Sequence, residues 1–311
     1  MYFPIIRGRQ YDLLALRELQ TRELLSDRII PIIEPIKLSS TLLSTVKAFE
    51  ENNRELIIIS NPKVGSFTGE LDLSSVYTQF REMVSSDFVI IGHYLNQNSM
   101  NEIADLQQKF GVELRDLAII HSERNLVRSY REIFNDVTAR FNVIPSDNSF
   151  RRQLSGQELV GLDDKFNKLP RNVDYLEQEN EFFSEEHLFF QDEGYIGFSD
   201  FSVVGKEYAD GGFAPYAVAI HIVYPNAEDA LEIMHFVSDS NDDISDPAGK
   251  FSEALEKLVQ WYHLSITDER MNTFAMECFI KHHQEGTYPG LATIKKLSIM
   301  HHLELIGKLL D

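Results

Sequence analysis

The chain has 311 residues, and its 49 acidic against 29 basic side chains leave a formal charge of −20. A surface that acidic repels nucleic-acid phosphates and anionic lipid, which excludes non-specific binding to either. A hydrophobic content of 43% excludes wholesale disorder, and the single cysteine, Cys278, excludes an internal disulfide or a Cys-rich zinc site.

The elements follow in chain order. The opening apolar run, Tyr2 to Ile6, is followed rather than preceded by the basic Arg7-Gly8-Arg9, the reverse of a signal peptide. No run approaches the roughly 18 apolar residues of a membrane helix, so a cytoplasmic protein is expected, with no membrane partner. Gln10 to Glu23 has leucines at helical spacing, Arg28 to Ile36 is a second strand and Leu42 to Asn53 a second helix. The alternation continues with strands over Glu55 to Asn61, Phe88 to Gly92, Leu117 to His121 and Arg140 to Pro145. Helices over Leu73 to Ser85, Met100 to Phe110 and Leu126 to Phe134 lie between them. The strand cores are apolar throughout rather than alternating, which is the mark of a parallel sheet covered on both faces. Tyr195 to Val204 and Tyr216 to Tyr224 supply a seventh and an eighth strand. The predicted fold is therefore an α/β, TIM-barrel-like (β/α)8 with an elaborated loop region and a C-terminal helical extension.

The barrel is expected over residues 1–264, with a loop insertion at about 146–193, and the extension over 265–311 packs on it. Within the insertion, Leu159 to Asp164 reads as an extra strand. The tail is read as two or three helices broken near Gly286 to Gly290. The competing architecture, a doubly wound open sheet, would carry a Gly-rich phosphate turn after the first strand, and Arg7-Gly8-Arg9 is not one.

The segment Phe3 to Leu19, followed by Ile30-Pro31-Ile32-Ile33-Glu34-Pro35, resembles the opening of the phage "beta protein" family and its uncharacterised bacterial relatives. The shared pattern is an apolar strand, a basic-Gly-basic turn, an Ala-Leu helix and a Pro-x-Ile-Glu strand. Gly197 to Phe201, Gly211-Gly212 and Ala219 to His221 resemble a bacterial branch of the same group. The resemblance is piecewise over about two-thirds of the chain. It implies a TIM-barrel-like fold and a place in phage–host conflict, as anti-phage defence or a toxin–antitoxin pair. It implies no particular reaction.

In a parallel barrel the carboxyl ends of the strands ring one face, and that rule selects the site. Glu34, Asp200, His221 and His121 are the candidate catalytic groups, as carboxylate bases and imidazole acids. Arg7, Lys37, Asn61 and Lys206 are the candidate substrate-binding groups, with Arg7 and Lys37 suited to clamp a phosphate or carboxylate. His93, Lys63, Glu123, Asp163 and Asp164 also fall near strand ends. The bland alternative is an internal polar network that only fixes the barrel interior. His221 and His235 interrupt apolar runs, and each is read first as a satisfied core histidine. No H-x-H or H-E-x-x-H spacing supports a metal, so none is assigned, and no motif names a cofactor.

The loop Gly205 to Gly212 reads either as an anion cradle or as a plain connection. Asp239 to Asp246 lacks the glycine and terminal glutamate of a calcium loop and reads as a solvated acidic loop. The pairs His282-His283 and His301-His302 are expected at the surface, and Cys278 as a buried small hydrophobe.

Two functions remain open. One is an enzyme, a hydrolase or lyase on an anionic small molecule that is phosphorylated or carboxylated. The other is a non-catalytic acidic module that pairs with a co-encoded protein partner, a reading that exposed apolar surface on Thr267 to Leu310 would favour.

Overall fold

The structure is a computed structural model and describes residues 1–70, 73–209, 211 and 215–311. Its elements in chain order are β1 (Ile5–Arg7), α1 (Gln10–Thr21), β2 (Ile32–Glu34), α2 (Ser40–Glu51), β3 (Leu56–Ile59), α3 (Phe67–Glu70), α4 (Ser74–Val84), β4 (Val89–Tyr94), α5 (Ser99–Phe110), β5 (Ala118–Ile120), α6 (Val127–Phe134) and β6 (Phe141–Pro145). They continue with α7 (Asn148–Gln153), β7 (Leu159–Leu162), β8 (Asn180–Ser184), α8 (Glu186–Phe189), β9 (Gly197–Ser199), β10 (Ala219–Pro225), β11 (Leu231–Val237), α9 (Pro247–Ser265), α10 (Phe274–Glu285) and α11 (Leu291–Leu310). The chain forms two compact units.

The first unit comprises Met1–Leu13, Asp27–Asp163 and Phe189–Asp200 and holds an eight-stranded sheet in the order β1-β2-β3-β4-β5-β6-β7-β9. All seven pairings are parallel. The ring is closed from the other side: the Phe3 N–H donates to Phe198 O at 2.8 Å, the Ile5 N–H to Asp200 O at 2.8 Å, and the Phe198 N–H to Met1 O at 3.1 Å. This is a nearly closed, TIM-barrel-like fold. Its sequential strand order has no switch point, so the doubly wound alternative is gone. Runs of isoleucine make the strands because β-branched side chains suit a pleated surface buried on both sides.

Closure depends on one residue without a side chain. A Cβ on Gly197 would stand 2.6 Å from Met1 O and 2.6 Å from the Phe3 ring. Gly8 has the same duty beside the site, since its N–H reaches Glu34 O at 2.8 Å and a Cβ there would meet Pro35 Cα at 2.8 Å. At the amino end of the strands, Phe3 and Phe141 meet ring to ring at 5.0 Å, and the Arg140 guanidinium grips both oxygens of Glu55 at 2.7 and 2.8 Å.

The second unit comprises Leu14–Ser26, Asp164–Leu188 and Phe201–Asp311 and holds a three-stranded antiparallel sheet in the order β10-β11-β8. Trp261 of α9 packs on Tyr224 and Phe236 from one face. On the other side His301 of α11 donates its Nε2–H to Val223 O at 2.7 Å. Residues 297–307 of α11 are buried without a break, so this helix is the core of the unit.

The eighth barrel strand differs from the expectation. Leu159–Leu162 and Gly197–Ser199 supply the seventh and eighth barrel strands, while Tyr216 to Tyr224 belongs to the antiparallel sheet. The reason is visible in β10, where Ala219, His221 and Tyr224 are half-buried among fully buried neighbours. That pattern marks a two-faced strand rather than a barrel strand.

Candidate functional site at the carboxyl ends of the barrel strands

Arg7 ends β1 and Glu34 ends β2, and the two form a direct ion pair, with the glutamate fully buried. Glu34 Oε1 accepts the Lys63 backbone N–H at 2.9 Å and Oε2 accepts the Tyr94 hydroxyl at 3.2 Å. Tyr94 lies on β4, two strands from Glu34, so both side chains project into the barrel. A carboxylate surrounded by a guanidinium, an amide and a phenol is stabilised as the anion. Its two oxygens are thereby tied to Arg7, Lys63 and Tyr94. Burial pushes the Tyr94 phenol up to about 12, against the opposing pull of the Arg7 charge, so it stays a donor.

Lys63, in the loop after β3, is exposed, with Nζ 3.1 Å from Ser122 Oγ and 4.5 Å from the centre of the Tyr94 ring. It thus brings a second cation beside Tyr94, on which Glu34 also rests. Asp200, just beyond β9, is buried and accepts from the Tyr2 hydroxyl at 2.6 Å. Burial, followed by the Asp200 charge, raises the Tyr2 pKa well above its ordinary value and keeps that proton in place.

His121 follows β5 but turns outward, under α6 and α7. It is buried, bonded through Nε2 to Asn142 Oδ1 at 2.9 Å, and packed on Tyr130 and Phe150. Side chains alternate across a strand, and the rule that selected strand ends ignored that parity. Asn61 also faces outward, bonding Tyr94 O and Glu102 at 3.0 Å each. Lys37 is exposed and makes no ion pair among the described residues. Lys206 and His221 lie in the second unit, where the Lys206 backbone N–H donates to Asp164 Oδ2 at 2.9 Å. In the Gly205 to Gly212 loop, Asp210 and Gly212 lie outside the described residues. Lys63 and Tyr94 carry much of this site. Lys63 was legible only as a strand-end residue, and Tyr94 had no signal beyond its place at the end of an apolar run.

The second unit holds a polar chain of its own. His235 Nε2 lies 3.1 Å from Glu181 Oε1, and its Nδ1 lies 2.7 Å from Nδ1 of His221. The carboxylate makes Nε2 of His235 the donor, so its Nδ1 accepts and His221 donates from Nδ1. The lone pair of half-buried His221 is then on Nε2. Burial lowers the His221 pKa to about 3, helped by His235, and lowers that of His235 against the pull of Glu181.

His301 and His302, expected at the surface, are fully buried, because α11 is surrounded on every side. Cys278 is half-buried rather than buried. Among the described residues no group of three or more His, Cys, Asp or Glu is placed to hold a metal ion, and no helix is long and apolar enough to cross a membrane. No family model, no curated protein and no solved structure matches the chain.

Proposed function

We propose that the protein binds, and as an enzyme acts on, an anionic small molecule at the carboxyl mouth of its barrel. The observation that supports this reading is Arg7 held by a carboxylate that Tyr94 and the Lys63 amide also hold, with the Lys63 ammonium over the Tyr94 ring. A guanidinium oriented in advance loses little entropy on meeting a phosphate or carboxylate. In this reading Arg7 and Lys63 bind the anion, Glu34 and Tyr94 position Arg7, and Asp200 transfers the proton in a hydrolase or lyase reaction. In parallel barrels of this kind the chemistry sits at that face.

The setting we propose, a phage–host conflict system in the cytoplasm, rests on the sequence resemblance in residues 3–35 and 197–221. A second reading, an acidic module that pairs with a co-encoded protein, is favoured by exposed apolar side chains in the second unit. These include Phe182, Tyr216, Ile244 and Leu264, at 58, 59, 55 and 84% exposure. None of the large exposed apolar residues lies in Thr267 to Leu310, and that counts against this second reading.

One experiment separates the readings. Calorimetric titration of the whole chain with inorganic phosphate, pyrophosphate and succinate is expected to detect binding of at least one, weakened about tenfold by Lys63→Gln. The same variant should lose any reduction in phage plating that the wild-type chain confers on a bacterial host. Folded wild-type protein that binds none of the three anions refutes the first reading. Protection that survives Lys63→Gln, together with a stoichiometric complex with the co-encoded product, establishes the second.

A further inference from the structure

Outside the barrel, at the carboxyl ends of β3 and β4, the first unit carries an open cleft of about 320 Å³, within the range of small-ligand sites. One wall is α5, which contributes Glu102, Asp105 and Lys109. The other carries Tyr77 from α4, and Asn61 lies at the base. Glu102 and Asp105 are three apart on the helix and share a face. Their charges are not equally compensated. Lys109 Nζ lies 2.7 Å from Asp105 Oδ2 and neutralises it. Around Glu102 the donors are side-chain amides: Asn61 at 3.0 Å, Asn96 at 2.9 Å and Asn98 at 3.3 Å. His93 Nε2 is 3.5 Å away, and burial lowers the pKa of that imidazole to about 4, so at neutral pH it brings no charge. Among the described residues, Glu102 therefore carries a negative charge that no contacting cation offsets.

Aromatic rings form part of the remaining wall, beside Ser60, Thr68 and Leu106. The Tyr77 and Phe110 rings lie 5.4 Å apart, and Phe80 meets Phe110 edge-on at 5.3 Å. A ring face attracts a cation, and it does so more strongly where water is partly excluded. His93, wholly buried, also lines this cavity, and among the described residues its Nδ1 has no hydrogen-bond partner. Its Nε2 lies 2.9 Å from Ser99 Oγ and 3.4 Å from the Asn61 amide nitrogen. The three amides fix the Glu102 rotamer, so a ligand need not order it. The net charge of −20 raises the local concentration of any cation.

We propose that this cavity is a binding site for a small organic cation, a primary amine carried on a flat apolar body. Glu102 meets the ammonium, and the Tyr77 and Phe110 rings meet the body. The site is independent of the anion reading at the barrel mouth.

The test uses benzylammonium and its neutral counterpart, benzyl alcohol, titrated into the full chain by calorimetry at low salt. Benzylammonium is expected to bind at least about tenfold more tightly than benzyl alcohol. Glu102→Gln should erase that preference, and Lys109→Gln, which frees the Asp105 charge, should tighten benzylammonium binding several-fold. Lys63→Gln should leave it unchanged. Folded wild-type protein that ignores benzylammonium, or that binds both probes equally, overturns the proposal. If Glu102→Gln does not fold, Lys109→Gln decides, and an affinity it leaves unaltered overturns the proposal.

Discussion

A buried carboxylate is tolerable only when its charge is answered, and at Glu34 the answer comes from Arg7, Tyr94 and the Lys63 amide together. Removing one partner should therefore cost more than removing the pair. Arg7→Met is expected to lower unfolding free energy by about 3–5 kcal/mol, because Glu34 is left ionised without its cation. Adding Glu34→Met should recover most of that loss. Urea denaturation of the two variants measures both, and a single variant no worse than the double would show that the ion pair is not what holds Glu34. The same residue-level reasoning explains two corrections. Identity at a strand end was readable for His121 and Asn61, but the face each side chain takes depends on strand parity. That parity is set by pairing with neighbours far along the chain.

At the level of elements, the barrel strands were the readable part. Six of the apolar runs fall where β1 to β6 lie, since a strand buried on both faces leaves a continuous hydrophobic signature. The ends of the series were harder. The four-residue β7 lies inside the segment read as an insertion, so the three-residue β9 was read as the seventh strand and the seven-residue β10, of the other sheet, as the eighth. Barrel closure is a property of these short elements and of Gly197. Gly197→Ala is expected to destabilise the chain by about 1–3 kcal/mol through its clash with Met1 O and Phe3. Thermal melting checks this, with Gly111→Ala unsuitable as a control because Gly111 has a φ of 72°. Gly69→Ala, where a Cβ would meet nothing within 4 Å, should change the melting temperature little.

At the level of the whole molecule, buried histidines make stability sensitive to mild acid. Burial lowers the pKa of His93, His121 and His301 to about 4, and that of His221 and His302 to about 3. An imidazole in the unfolded chain titrates near 6.5. Between those values the unfolded chain binds protons that the folded chain refuses, so the histidine contribution to stability is complete above pH 6.5 and is lost as the pH falls toward 4. The melting temperature should drop steadily from pH 6.5 to pH 4.5. A flat profile over that interval would show that these imidazoles are not held neutral by the fold.

The order of residues along the chain determined by itself that a parallel, doubly covered sheet would form and that polar groups would gather at its strand ends. Both follow from local hydrophobic pattern and from the period of a strand. Only the tertiary structure decided which strands close the ring, that Glu34 and Tyr94 meet across β3 while His121 and Asn61 turn away, and that His221 joins His235 and Glu181 in a separate sheet. Such contacts join residues tens of positions apart. Their geometry is fixed by register and closure, for which a single sequence carries no local signal.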